Sequence, residues 1–190
     1  IIIQSVHYIV KRKGDDFMHN LMRERYWSMF NSTKHKYFYY AFYKQSCDIR
    51  IMVTKIFLAV ISCAGITAWT IWDKFPGVWA VILAISQIVS VSQEYMPFYK
   101  QSAGIEYLLS DLSVITTQIA SDWNRVDDMT PEQIIEKIES YQMQITELEN
   151  KFLSSFAFLY SKSAHRKAEN QTKKFFEYYT LENNSQEGVS

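Results

Sequence analysis

Polar side chains inside two long apolar stretches are the residues of this chain best suited to chemistry. On the second stretch they follow helical spacing, at Ser86, Gln87, Ser90, Gln93 and Glu94. A polar group inside a hydrocarbon layer is costly unless water or another protein group satisfies it. The stripe therefore predicts one of two roles. It lines a water-filled pore in an oligomer, or it joins neighbouring helices by hydrogen bonds.

The first apolar stretch contains a single charged residue, Lys55. Its side chain can extend the ammonium group to the polar surface, since it lies in the first turns of the stretch. The alternative is a charge that faces a pore near Glu94. Small residues also recur every four positions, which lets helices approach closely and predicts a helix–helix interface. These residues are Ala59, Cys63 and Thr67.

The two stretches themselves run from Ile51 to Trp72 and from Phe75 to Ser92, with a turn at Pro76 and Gly77. Each is close to the ~20 residues that an α-helix needs to cross a hydrocarbon core of ~30 Å. Every backbone amide in lipid must find a partner within the protein. We therefore expect an all-α protein built on a two-helix transmembrane hairpin with helical arms. The less favoured interpretation is a soluble helical bundle whose core contains both stretches.

The charge distribution predicts the orientation of the hairpin. Residues 1–50 carry nine basic and four acidic side chains, although the whole chain balances at 20 of each. By the positive-inside rule both arms lie in the cytoplasm. Aromatic residues near the ends of the spans are expected to anchor them at the membrane interfaces. The outer anchors are Trp69, Trp72 and Trp79, and the inner ones are Tyr43, Tyr95 and Tyr99.

Tyrosines recur in the N-terminal arm at Tyr37, Tyr39, Tyr40 and Tyr43. Interfacial or helix-packing roles are the expected ones beside a membrane span. The alternative is that the run stacks bases or a nucleotide.

Helical patterns also cover the arms. The spacing predicts a helix over about 16–30, with Asn31, Ser32 and Thr33 as N-cap candidates for the next helix. Thr130, Pro131 and Gln133 form a capping-box start. The helices on either side of the connector 124–129 are expected to pair as a coiled-coil-like antiparallel hairpin. Their apolar stripes are Ile105, Leu108, Leu112, Ile115 and Ile119, and then Ile134, Ile138, Tyr141, Ile145, Leu148 and Phe152.

These patterns divide the chain into five parts. Residues 1–17 are expected to be a leader outside the translated protein, with Met18 as its start. Residues 18–50 form the cytoplasmic N-terminal helical arm, and 51–95 form the hairpin. Residues 96–165 form the cytoplasmic helical hairpin, and 166–190 form a polar tail that frays at its end.

The sequence disfavours several functional classes. The histidines lack metal-ligand spacing, the glycines form no phosphate-cradling loop, and Cys47 and Cys63 form no paired motif. The balanced charge carries no bulk nucleic-acid signature. We therefore expect no enzyme, no metal or other cofactor, and no nucleic-acid partner.

The arrangement from about 26 to 158 resembles the SLATT family, the two-transmembrane effector domains of bacterial conflict systems. The aromatic arm from Tyr26 onward, the span from Ile51 and the tight turn at Asp73 to Gly77 carry the resemblance. The arm 101–123 and the capped helix from Pro131 complete it.

The resemblance implies an effector of the bacterial inner membrane that oligomerises and forms a pore, or otherwise disrupts the membrane, in anti-phage defence by abortive infection. Its implied trigger is a nucleotide second messenger or a separate sensor protein. The sequence has no recognisable nucleotide-sensing domain, which favours a separate sensor. The alternative is a non-conducting membrane anchor or scaffold that recruits a soluble partner through its helical arms.

Overall fold

The computed structural model is helical throughout the residues that it describes, which are 2–67, 76–92, 95, 97–153 and 160–187. Side chains are described for the same residues apart from 2–16, 64–67, 76, 79, 97, 100 and 181–187. In this part of the chain the α-helices are α1 (Ile2–Thr67), α2 (Pro76–Ser92), α3 (Pro97–Trp123), α4 (Pro131–Leu153) and α5 (Lys162–Glu187). The all-α prediction is confirmed.

Helix α1 is continuous over 66 residues, which corresponds to a length of about 100 Å. The predicted helix boundary at 31–33 is wrong. Thr33 does not cap a new helix, because its hydroxyl donates a 2.9 Å hydrogen bond to the carbonyl of Met29 within α1. A buried threonine inside a helix satisfies its hydroxyl on the preceding turn in this way. The sequence predicts a helix that continues unbroken after Lys34, and this is confirmed as far as Thr67.

Helix α3 packs antiparallel to α1. Near the far end of the bundle the hydroxyl of Tyr26 donates to the carbonyl of Ile119 at 3.1 Å. At the opposite end Tyr43 donates to Oε1 of Gln101, also at 3.1 Å. The two helices therefore run in opposite directions.

Helix α4 returns along α3 and packs against both α3 and α1. At the connector end of this pair, the hydroxyl of Tyr141 donates to Asp122 at 2.8 Å. At the other end the rings of Tyr107 and Phe152 stack with centroids 6.3 Å apart. The predicted antiparallel hairpin of helical arms is confirmed.

The two predicted apolar stripes form the core of the bundle. All five predicted residues of α3 are buried, and so are the first four of α4. Leu148 and Phe152 are partly buried against the same core. From α1 the core receives mainly aromatic and sulfur-containing side chains, namely Met22, Tyr26, Met29, Phe30, Tyr40, Tyr43 and Cys47.

The start of α4 is the predicted capping box. Gln133 N donates to the hydroxyl of Thr130 at 3.4 Å, and Thr130 N donates to Oε1 of Gln133 at 2.9 Å. The connector before it contains a 3₁₀ turn, Val126–Asp128, whose first residue is buried in the core.

Helix α5 lies in the part of the chain for which the sequence indicates a polar tail. It packs chiefly on α1 and runs antiparallel to it. Its buried residues are Ala164, Ala168, Thr172 and Phe176, which recur every four positions. A stripe with two alanines and one threonine has few large apolar side chains, so the amphipathic pattern is hard to detect in the sequence.

Helix α2 packs on the part of α1 beyond the bundle. It ends shortly before α3, whose beginning lies beside Asp48 of α1. Helix α2 therefore runs back along α1 toward the bundle. The predicted turn between the apolar stretches falls on 68–75, outside the described residues. Among the helices that the structure describes, none meets both the length and the hydropathy required to cross a membrane.

Candidate functional site: an exposed apolar helix pair on a polar base

The part of α1 after Asp48 and helix α2 expose most of their large apolar side chains. The exposed fractions range from 45% at Phe57 to 70% at Val91. Large contiguous apolar surfaces are uncommon on water-soluble proteins and mark contact with a membrane or a partner. The exposed set is Ile49, Met52, Val53, Ile56, Phe57, Val60, Val78, Val81, Ile85, Ile88 and Val91.

One face of each helix is covered by the other. On α1 the covered side chains recur at helical spacing, with Ile51, Thr54 and Leu58 half-buried and Ile61 buried. On α2 the buried residue is Ser86, whose hydroxyl donates to the carbonyl of Leu83 at 2.8 Å. Two helices that cover only one face of each other leave most of their circumference exposed.

The predicted polar stripe of α2 is divided by this packing. Ser86 is buried at the contact with α1, whereas Gln87 and Ser90 are exposed. Gln93 and Glu94 lie outside the described residues. Ser86 lies on the buried side of α2, but its hydrogen bond to Leu83 stays within α2 and does not join the two helices.

The predicted small and charged residues of α1 are also exposed. Lys55, Ala59 and Cys63 all lie on the surface, and the side chain of Thr67 is not among those described. Ala80 and Ala84 of α2 are exposed as well. The structure does not bring these small residues together between α1 and α2.

Helical geometry assigns the exposed small and polar residues to one side of the helix pair. Each residue advances about 100° around an α-helix axis. On α1, Lys55, Ala59 and Ser62 lie next to the covered face, on one side of it. Most of the large apolar side chains lie further around the helix axis. On α2, Gln87 and Ser90 are displaced from Ser86 in the same direction of rotation as Lys55, Ala59 and Ser62 are from the covered face of α1. Because the helices are antiparallel, the two groups lie on one common side of the pair.

We call this common side the polar face; its members are Lys55, Ala59, Ser62, Ala84, Gln87 and Ser90, all of which are exposed. The remaining exposed surface carries mainly valine, isoleucine, phenylalanine and methionine. Val91, which is 70% exposed, also lies on the polar face, between Gln87 and Ala84, so this face is mixed and the remaining exposed surface is more uniformly apolar.

A polar network joins α1 to α3 at the base of the pair. The hydroxyl of Ser102 donates to Oδ1 of Asp48 at 2.5 Å, and Lys44 lies 2.8 Å from Oδ2 of the same carboxylate. Lys44 also reaches Glu106 at 3.6 Å. Burial raises the pKa of Asp48, but the hydrogen bonds from Lys44 and Ser102 outweigh it and hold the pKa below its usual value. Asp48 and Lys44 therefore both stay ionised at neutral pH.

The predicted interface anchors have different environments. Tyr43 is a bundle-core residue whose hydroxyl is bound to Gln101, so it corresponds to helix packing. Tyr95 is 82% exposed, and Tyr99 is half-buried. Trp69 and Trp72 lie outside the described residues, as does the side chain of Trp79.

The tyrosine run of α1 packs within the protein. Tyr40 is buried and donates to Glu149 at 2.7 Å, and the hydroxyl of Tyr39 accepts a hydrogen bond from Ser161 N at 3.2 Å. Both hydroxyls thus take part in contacts between helices. Tyr39 and Tyr40 also line an open groove together with His35 and His165.

Two grooves flank helix α5 where it meets α1. The larger encloses about 1110 Å³ between the two helices, and its lining includes Ser28, Ser32, Lys173 and Phe176. The smaller encloses about 370 Å³ around His35 and His165. Within the described part of the chain, no three histidine, cysteine or carboxylate side chains are grouped to hold a metal ion.

The contact between His35 and His165 was not indicated by the sequence. Nε2 of His35 lies 3.4 Å from Nδ1 of His165, and 130 residues separate them in the chain. No local spacing could have identified this pair, because each histidine is isolated on its own helix.

Comparison of the chain with protein-family models, with curated proteins and with solved structures finds no match in any of the three.

Proposed function

We propose that this protein is an effector of the bacterial inner membrane whose helix pair lies in the bilayer and whose bundle lies in the cytoplasm. On triggering, copies of the chain associate and breach the membrane, as the resemblance to the SLATT family implies. The observation that carries the proposal is the exposed apolar surface of the helix pair. The rest of the described chain exposes nine large apolar side chains over many more residues, and four of those nine are tyrosines.

The free energy of transfer supports a lipid environment for these side chains. Fully burying a valine, leucine, isoleucine or phenylalanine side chain is worth about 1.5–3 kcal/mol. The eleven exposed side chains of the helix pair, each at least 45% exposed, leave much of this free energy unused in water. Lipid would recover it without any rearrangement of the bundle.

The polar face supports association between copies. Gln87, Ser90 and Lys55 do not contact lipid favourably, since polar groups in the hydrocarbon region need protein or water partners. Small residues beside them permit close helix approach. Turning this face inward in an oligomer leaves the large apolar side chains on the lipid side. The inward face can then line a water-filled path.

The trigger must stabilise the open arrangement more than the closed one. A nucleotide signal read directly or by a separate sensor protein fits this requirement. In anti-phage defence, opening would collapse the membrane potential and arrest the infected cell.

Expression in bacterial cells with a membrane-potential dye tests the proposal. The unchanged protein is expected to fractionate with membranes and, when overproduced so that its high concentration drives association in place of the trigger, to depolarise the cells. The double change Gln87→Leu and Ser90→Leu should suppress depolarisation while the protein stays in the membrane. The matched control is Ile85→Leu, which lies about 160° from Gln87 around the axis of the same helix and should depolarise like the unchanged protein.

Two results would contradict the proposal in different ways. Protein that stays in solution after high-speed centrifugation without detergent would rule out the membrane assignment. Depolarisation that survives the double change would remove the polar face from the conducting path.

A second candidate is a non-conducting anchor that recruits a soluble partner through its helical arms. The groove of about 1110 Å³ between α1 and α5 favours it, because it offers a partner an open surface on the bundle. Membrane association without depolarisation under any trigger would support this candidate over the pore.

A further inference from the structure

Helix α5 is attached to the bundle differently from α3 and α4. It packs chiefly on α1, whereas α4 packs on both α1 and α3. Among the described residues, the ring stacking between α5 and α1 is concentrated near the C-terminal half of α5. There Phe176 lies against Phe30 and Trp27, with ring centroids 5.1 and 4.8 Å apart. The N-terminal half is attached through the buried Ala164 and Ala168, the histidine contact, and Lys167, whose Nζ lies 5.9 Å from the ring centroid of Phe42.

The histidine contact joins the two helices near the beginning of α5. The ring centroids of His35 and His165 are 5.0 Å apart, and the facing nitrogens are 3.4 Å apart. His35 is half-buried and His165 is exposed, so protons from solvent reach the pair. The same region is tied to α1 by the 3.2 Å bond from Ser161 N to the hydroxyl of Tyr39.

The protonation states of the pair determine whether this contact is favourable. A neutral imidazole has one donor and one acceptor nitrogen, while an imidazolium has two donors. Two neutral rings, or one neutral and one charged ring, can therefore share a hydrogen bond. Two imidazoliums would place N–H groups and positive charges against each other. The pair then changes from attractive to repulsive.

Neighbouring acidic groups limit the repulsion only in part. Burial and the nearby His165 lower the pKa of His35, and the Glu169 carboxylate opposes them as a smaller influence. Glu177 lines the same large groove as His35, further along α5. Glu149 of α4 is already bound to Lys36 and Tyr40.

The neighbouring cations add to the repulsion within a doubly charged pair, while the rings of Tyr39 and Tyr160, 6.4 and 5.8 Å from that of His165, offset it only in part. On α1, Lys34 lies 4.2 Å from the ring centroid of Phe175, and Lys36 lines the smaller groove with His35. Lys173 of α5 lines the larger groove.

We propose that the contact between His35 and His165 is an acid-sensitive latch, which loosens the N-terminal half of α5 from α1 when both imidazoles are protonated. Because an ordinary histidine titrates near pH 6.5, the latch is closed at pH 7.5 and opens at acidic pH. The stacked rings around Phe176 then keep the far half of α5 attached. The latch does not depend on where the helix pair resides.

Hydrogen–deuterium exchange of the full-length protein in detergent micelles tests the latch. Protection of α5 is compared at pH 7.5 and pH 5.5 after correction for the intrinsic exchange rate. In the unchanged protein, protection over 162–172 should fall about tenfold. This is the change expected over one pH unit when the opened molecule binds one proton more than the closed molecule. Protection in α3 and α4 should stay constant.

Three variants separate titration from packing. His165→Gln keeps a neutral polar side chain, so α5 should stay protected at both pH values. His165→Lys adds a permanent charge beside His35 and should reduce protection already at pH 7.5. His19→Gln is the matched control, since His19 lies 3.3 Å from the carbonyl of Val126, at the opposite end of the bundle from the N-terminal half of α5, and it should respond like the unchanged protein.

Three outcomes would overturn the latch. The unchanged protein could keep the same protection at both pH values, or His165→Gln could respond to acid as strongly as the unchanged protein. Alternatively, His165→Gln could leave α5 unprotected at both pH values. That outcome would show that the histidine acts through packing and not through its charge.

Discussion

Tyr40 of α1 donates a 2.7 Å hydrogen bond to Oε1 of Glu149 on α4, and Nζ of Lys36 lies 2.9 Å from the same oxygen. One carboxylate thus joins a phenol and an ammonium group of α1 to the neighbouring helix. Tyr40 is buried, and only 24% of the Glu149 side chain is exposed. The contact secures α4 to α1 near the end of the bundle from which the apolar helix pair extends.

Replacing Tyr40 with phenylalanine should lower the free energy of unfolding. The change removes a hydrogen bond to a charged group and leaves Glu149 with a single partner, which is expected to cost about 1–2 kcal/mol. Denaturant unfolding of the purified protein measures the difference. Tyr178→Phe is the control, because that side chain is 67% exposed and should leave stability unchanged. Equal stability of the two variants would contradict this prediction.

Alkaline conditions should destabilise the bundle through its buried tyrosines. Burial raises the pKa of Tyr26, Tyr40 and Tyr141, and interactions with neighbouring groups add to this shift. A folded-state pKa above the unfolded value contributes stability below about pH 10, the usual tyrosine pKa, and that contribution is lost as the pH rises further. Thermal unfolding between pH 8 and pH 11 should show a falling midpoint, and Tyr40→Phe should make the fall shallower.

Asp122 should make stability sensitive to acid. Burial raises the pKa of this carboxyl, but hydrogen bonds from Lys137 and Tyr141, each 2.8 Å long, hold the pKa below its ordinary value. The stability it contributes is therefore present above about pH 4 and lost as the pH falls further.

The variant Asp122→Asn should lose about 1–2 kcal/mol at pH 7 and should respond less to acid. Asp111→Asn, an exposed position on the same helix, is the control. Thermal unfolding at pH 7 and pH 3 measures both effects. A variant that keeps the full acid response would show that other carboxylates dominate it.

Truncation of Phe176 should release α5 while the rest of the bundle stays folded. Replacing a buried phenylalanine with alanine costs about 3 kcal/mol, equivalent to roughly a hundredfold rise in local opening. Because α5 packs chiefly on α1, hydrogen exchange should accelerate in 162–180 and stay slow in α3 and α4. Tyr178→Ala, on the exposed side of α5, should leave exchange unchanged. Accelerated exchange in all helices would contradict this local effect.

The two cysteines should react differently with maleimides. Cys47 is buried in the bundle core, where burial raises the pKa of its thiol, and Cys63 is exposed on the helix pair. Mass spectrometry of the native protein in detergent should find Cys63 modified and Cys47 intact. In liposomes a membrane-impermeant maleimide should fail to modify Cys63 and should modify it once a denaturing detergent dissolves the membrane, because the reactive thiolate does not form in hydrocarbon. Rapid modification of Cys63 by the impermeant reagent would contradict a lipid location.

The parts of the fold that were predicted correctly rest on interactions close in sequence. The stripe that includes Ile105 and Ile119 and the capping box of Thr130 and Gln133 depend on helical spacing within a few turns. The boundary at Thr33 was predicted wrongly for a related reason. A hydroxyl that caps a helix start can equally bind the preceding turn of a longer helix, and burial of Thr33 against the bundle selects the second arrangement.

Local patterns were sufficient to establish an all-helical chain, its core stripes and its two apolar stretches, because helical periodicity and capping are properties of short segments. The folded chain was needed to separate Ser86 from Gln87 and Ser90, since burial of one side of α2 depends on where α1 lies. It was likewise needed to attach α5 to α1 and to bring His35 to His165. Contacts between residues more than a hundred positions apart depend on how whole helices pack, and no local spacing encodes them.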